Sequence, residues 1–142
     1  MNYLIHQLLI KEEIEVFIKS LKKENNLWED GKKTAGSHAS KVKNNLQLDR
    51  GSEISIKLSN LIRKKILSSP LIKSFALPKR IHGIMFTKSL NNMQYGRHID
   101  NPFMSSGRSD LSFTISLSDK SKYSGGEPVS YTHLTLPTIY SV

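Results

Sequence analysis

The chain has 142 residues, 37% of them hydrophobic, which suits one domain with its own core and is short for two. Lys and Arg number 21 against 12 Asp and Glu, a net charge of +9, yet the basic residues fall in short clusters such as Lys22-Lys23, Lys32-Lys33, Arg63-Lys64-Lys65 and Lys79-Arg80. No long basic run or interleaved aromatic pattern marks a nucleic-acid face. Cysteine is absent, which excludes disulfides, zinc-thiolate sites and cysteine nucleophiles, so any metal must be held by His, Asp or Glu.

The N-terminal stretch from Met1 to Ile10 has no basic leader or small-residue cleavage site, and no apolar run approaches the ~20 residues that span a bilayer. A cytoplasmic protein without membrane contact is the expectation. Ile14, Phe17, Ile18 and Leu21 recur at helical spacing and predict an amphipathic helix over residues 12–22. Trp28-Glu29-Asp30-Gly31 reads as a turn, followed by a break at Gly36-Ser37, with loop and short strand around them. A second helix is predicted from about Ser52 to Leu67: Ile54, Leu58, Leu61, Ile62 and Ile66 share one stripe, Ser52 can cap the start and Glu53 suits the first turn. Pro70 and Pro78 bound what reads as a short connector.

After Pro78 the pattern changes to strand-like pieces at residues 81–86, 93–98 and 111–117. In the last, Leu111, Phe113, Ile115 and Leu117 alternate with Ser112, Thr114, Ser116 and Ser118, as in a strand with one buried face. Gly125-Gly126 supplies a turn toward a further strand. Helices first and strands second suit an α+β chain with a sandwich or jelly roll.

The chemistry concentrates in Tyr95-Gly96-Arg97-His98-Ile99-Asp100-Asn101. Side chains two apart on a strand share a face, so His98 and Asp100 can meet one ion. An imidazole nitrogen and a carboxylate oxygen are two of the three donors of the 2-His-1-carboxylate set used by non-haem Fe(II) oxygenases. A His-x-Asp by itself is more often an ordinary surface pair. His6 and His82 lie among apolar neighbours and read as structural, and His38 lies in a Gly/Ser-bounded loop.

Trp28, Asp30-Gly31, Thr34-Ala35-Gly36, the run Lys43-Asn44-Asn45-Leu46-Gln47-Leu48, Ala76 to Arg80, Met93 to Asn101, Arg108 to Ser112 and Gly125-Gly126-Glu127 together resemble, in order, the PKHD-type hydroxylases, bacterial relatives of the prolyl and lysyl hydroxylase catalytic domain. The resemblance implies N-terminal helices followed by a double-stranded β-helix (jelly roll), incomplete in this chain. It also implies an Fe(II)- and 2-oxoglutarate-dependent dioxygenase with L-ascorbate as a further cofactor. On that resemblance His98 and Asp100 are the first two iron ligands, with no catalytic residue beyond the metal ligands. Tyr95 lines the 2-oxoglutarate pocket or is simply a core aromatic. Asn45 and Gln47, with Asn44, are substrate-side candidates or turn and capping residues; Arg97 and Arg108 attract an anionic substrate or form rim salt bridges.

The family pattern also calls for a later His and an Arg for the distal carboxylate of 2-oxoglutarate, whereas His133 is the single histidine after Asp100 and no Arg or Lys follows Lys122. Residues 128–142 carry no charged side chain, resemble translated adapter sequence and are expected to be a non-native tail, a real final strand being the alternative. The expected organisation is a helical and loop support region at 1–77, the first part of the jelly roll at 78–127 and the tail at 128–142, with inactivity and poor solubility expected of the chain as written. The competing reading from the +9 charge is a basic nucleic-acid or polyanion binder without catalysis. The expected partners are the small-molecule co-substrate and a hydroxylation substrate the sequence does not name.

Overall fold

A computed structural model describes residues 3–104, 107–124 and 138–141. Helix α1 (Lys11–Lys23) buries Phe17, with Ile14 and Leu21 packed beside it. Its first turn is closed by Glu13, whose carboxylate accepts from the Ile10 backbone N–H at 3.0 Å, and Lys22 and Lys23 sit at the negative end of its dipole. Helix α2 is one turn (Ala39–Val42). Helix α3 (Glu53–Ser68) begins where Ser52 Oγ accepts from the Ser55 N–H at 3.3 Å, and buries Leu58, Ile62 and Ile66. Leu61, assigned to the same stripe by periodicity, lies 41% exposed at the edge of that face.

The expected connector between Pro70 and Pro78 is instead a helix, α4 (Pro70–Ala76). Pro70 occupies the first helical position, where its missing N–H costs nothing and its fixed φ is already helical. Ser69 Oγ accepts from the Ile72 N–H, and Leu77 ends the helix in the left-handed region at φ 44°.

The strands are short. β2 (Trp28–Asp30), β4 (Leu46–Leu48) and β5 (Thr87–Lys88) form an antiparallel sheet in the order β2-β4-β5, and β3 (Lys43–Asn44) pairs antiparallel with β6 (Gln94–Tyr95). β7 (Phe103–Met104) pairs with β8 (Gly107–Arg108), and β1 (Tyr3–Ile5), β10 (Thr138–Ser141) and β9 (Ser112–Ile115) form a parallel sheet in the order β1-β10-β9. The architecture is mixed α+β. Among the described residues the strands make four separate small sheets rather than two facing ones.

Three strand boundaries differ from the sequence expectation. Residues 81–86 are irregular because ladder pairing with β4 begins only where the Leu48 N–H donates to the Phe86 carbonyl at 3.0 Å; Ile81 and Ile84 pack against the core from a loop. The 93–98 strand shrinks to Gln94–Tyr95, and the 111–117 strand to Ser112–Ile115, with Phe113, Ile115 and Leu117 against the core and Thr114 outward. The expected turn at Trp28 to Gly31 is strand β2 leading into a 3-10 turn at Gly31–Thr34. The Gly125-Gly126 turn and His133 lie outside the described residues.

The core gathers Leu9, Phe17, Leu48, Leu58, Ile62, Ile66, Ile72 and Phe86, all buried, with the Phe17 and Phe86 rings 6.4 Å apart and tilted by 34°. Among the described residues no helix is long and apolar enough to cross a membrane.

Candidate functional site

The Gly96 N–H donates to the Val42 carbonyl at 2.8 Å, extending the β3–β6 ladder by one bond, and the chain then turns away. A Cβ on Gly96 would meet the Val42 Cβ at 3.1 Å, so glycine lets the two strands approach here. His98 and Asp100 therefore lie on the loop after β6, not on the strand end that alternation predicted. Strand periodicity does not bring them together. A local catch does: His98 Nδ1 lies 2.8 Å from the Gly96 carbonyl oxygen.

That carbonyl can only accept, so Nδ1 carries the proton of this bond and Nε2 is left pointing away. Nε2 stands 3.2 Å from Asp100 Oδ1, with the His98 side chain 26% and the Asp100 side chain 56% exposed. Tyr95 completes the group. Its ring lies face to face with the His98 imidazole, centroids 3.7 Å apart and planes 10° from parallel. Burial first, and the Asp100 carboxylate second, push the Tyr95 phenol above its ordinary range, so it is a neutral hydroxyl at pH 7.

Asn45 and Gln47 belong to a different setting. With Lys43 they occupy alternate positions of one extended stretch, all three facing inward at 3%, 6% and 4% exposure, while Asn44 faces out. Thr34 ties the row together: its hydroxyl lies 2.5 Å from Gln47 Oε1 and 3.4 Å from Lys43 Nζ. Asn45 Oδ1, Gln47 Nε2 and the Trp28 indole N–H are buried without a hydrogen-bond partner among the described residues. Burial holds the Lys43 ammonium below its ordinary pKa, against a smaller attraction from Asp30. The row reaches the His98 group through Lys43, which is in register with Tyr95 and sets its ammonium 5.1 Å from the Tyr95 ring centre.

Arg97 is exposed on the loop between Tyr95 and His98. Arg108 pairs with Asp110 at 2.5 Å, both exposed, as a rim salt bridge would. His82 Nε2 lies 3.2 Å from the Arg108 carbonyl oxygen and is half-buried, in keeping with a structural role. Lys43 is the residue that sequence reasoning passed over, although its place two and four residues before Asn45 and Gln47 puts it on the same strand face.

The arrangement defines an α+β protein in which an oriented imidazole and a carboxylate share one spot beside an aromatic ring. No family model matches the chain, but individual proteins do. A PKHD-type hydroxylase from Prochlorococcus marinus strain MIT 9312 is 82% identical over 127 residues, 89% of this chain and 58% of that protein. One from strain AS9601 is 70% identical over 132 residues, covering 93% of this chain and 60% of that protein, and one from strain NATL2A is 58% identical over 127 residues. These relatives are all named PKHD-type hydroxylases, the family that the chain's motifs resemble. It spans about three-fifths of the length of the curated relatives it matches.

Proposed function

We propose that this chain supplies the first two iron ligands, His98 and Asp100, of an Fe(II)- and 2-oxoglutarate-dependent hydroxylase with a jelly-roll catalytic domain. The observation that carries the reading is the 3.2 Å approach of His98 Nε2 to Asp100 Oδ1 while Nδ1 is tied to a backbone carbonyl. Two donors bonded to one ion at about 2.1 Å and at right angles stand about 3.0 Å apart, so the pair fits adjacent positions on one metal. A ligating histidine characteristically donates its other N–H to a carbonyl or carboxylate, which is the role Gly96 plays here. The donor set, one imidazole nitrogen and one carboxylate oxygen, suits Fe(II) and leaves open positions for a bidentate keto acid and dioxygen. Among the described residues no group of three or more His, Asp or Glu gathers, so these residues contribute the pair and not the whole set.

When bound, Fe(II) would supply the dioxygen chemistry: 2-oxoglutarate, O2 and a substrate C–H become succinate, CO2 and a C–OH. The residues of this chain orient and shield. The Gly96 carbonyl fixes the tautomer and swing of His98, and Tyr95 covers one face of the imidazole and keeps water from it. The neutral Tyr95 hydroxyl is a hydrogen-bond donor for a carboxylate brought to the pair. L-Ascorbate fits this reading as the reductant that keeps the iron divalent, and the hydroxylated substrate would be brought to the same pair.

The test uses a protein that carries this segment together with the remaining length of its relatives. Fe(II)-dependent succinate formation is expected from 2-oxoglutarate, and His98→Ala should abolish it. Undiminished turnover in His98→Ala would remove His98 from the iron and the reading with it.

A further inference from the structure

We infer that Lys43 is a positioning residue for the His98 imidazole, acting through the ring of Tyr95; the inference rests on the iron-ligand role proposed for His98. Lys43 and Tyr95 are direct partners across the β3–β6 ladder, so one strand carries the cation and the other the ring, with the ligand three residues on in the loop that follows. The Lys43 ammonium stands 5.1 Å from the Tyr95 centroid, within the reach of about 6 Å for a cation–π contact, and Tyr95 in turn lies flat on His98 at 3.7 Å. The Val42 carbonyl takes the Gly96 N–H, and the Gly96 carbonyl takes the His98 Nδ1 proton. The β3 end of the ladder thus fixes the imidazole twice, in its swing through Gly96 and in its plane through Tyr95.

A lysine is an expensive way to fill a 3% exposed position, and an aliphatic side chain would pack there without the desolvation cost. Among the described residues no carboxylate comes within 4.0 Å of its nitrogen; the hydrogen bond it makes is to Thr34 Oγ1 at a long 3.4 Å. Besides the attraction from Asp30, the charge faces the electron-rich ring of Tyr95. The stem is held in line by Gly31, where a Cβ would press on Lys43 Cε at 3.1 Å and collide with Asn45 Oδ1. A cation fixed in this way restrains a ring that is itself 40% exposed.

The test is proton NMR of the metal-free chain, reading the His98 ring signals, which a stacked tyrosine shifts upfield. Lys43→Met should move them back toward those of an unstacked histidine, Lys43→Arg should restore most of the shift, and the signals of His38 should not change. Tyr95→Leu, which removes the stacked ring itself, should abolish the shift outright. Titration with Mn(II) then reads function: the concentration that broadens His98 should rise roughly ten- to a hundred-fold in Lys43→Met and Tyr95→Leu. Unchanged His98 signals in Lys43→Met, or an unchanged Mn(II) requirement in Tyr95→Leu, would overturn the inference. If Lys43→Met moves the ring but Mn(II) fails to broaden His98 even in the unsubstituted chain, the iron reading falls while the positioning of the ring stands.

Discussion

Lys43 and Tyr95 face each other across the β3–β6 ladder with opposite exposures, the lysine sealed at 3% and the tyrosine open at 40%. Sealing an ammonium disfavours its charged form, and burial indeed holds Lys43 below its ordinary pKa. Below the folded-state pKa the desolvation cost is present in full. As pH rises from there toward the unfolded value of about 10.4, the unfolded chain binds more protons than the folded one, so stability rises. Lys43→Met should thus be as stable as the parent at pH 7 or more stable by about 1 kcal/mol, and the advantage should shrink toward pH 10. Paired urea titrations at the two pH values check this.

Glu13 behaves in the opposite sense. Its hydrogen bond to Lys65, then the Ile10 N–H, hold its carboxyl below the usual range. The contribution is fully present above the unfolded pKa of about 4.3 and is lost as pH falls through the lower folded value. The pair is partly exposed, at 29% and 40%, so its worth stays below about 1 kcal/mol. Glu13→Gln should flatten the acid limb of the urea midpoint against pH, with little change at pH 7.

The core should respond in proportion to burial. Leu58 and Ile62 lie on α3 at 2% exposure each, and truncation of either to Ala removes packed atoms and leaves a cavity, a loss of about 2–5 kcal/mol by urea unfolding. Leu61→Ala, one position along but 41% exposed, should cost far less, within about 1 kcal/mol.

Gly31→Ala places a methyl group against Asn45 Oδ1, the Asn45 carbonyl and Lys43 Cε. The Gly31 N–H donates to the Asn45 carbonyl at 2.9 Å, so the backbone cannot retreat without breaking that bond. A loss of about 1–3 kcal/mol is expected, read as a lower urea midpoint with an unchanged slope.

Helices α1 and α3 could be read from the sequence because each carries a long apolar stripe; Ser52 caps α3 as its position suggested. Helix α4 could not, because Pro70 reads equally as a breaker and as a first helical residue, and the Ser69 cap decides between them. The strands were legible only as regions: with two to four residues each, their ends are set by partners far along the chain, such as Val42 for Gly96 and Phe86 for Leu48. His98 and Asp100 were chosen on strand alternation, and the loop they occupy is not a strand. Their meeting depends on the Gly96 carbonyl, which no periodicity encodes. Tyr95 was read as either a pocket residue or a core aromatic, and the structure adds its stacking on His98. Lys43 was hidden because a lysine in a basic chain carries no mark of burial until the Asn45 and Gln47 beside it are seen to face inward as well.

The central claim is that His98 and Asp100 hold one metal ion together. The most direct measurement is Mn(II) titration of the chain followed by proton NMR, with His98 compared against His6 and His82, and Asp100→Ala compared with the parent. The account predicts that His98 broadens first and that Asp100→Ala raises the Mn(II) needed by at least about tenfold. Equal broadening of all three histidines, or no effect of Asp100→Ala, would contradict it.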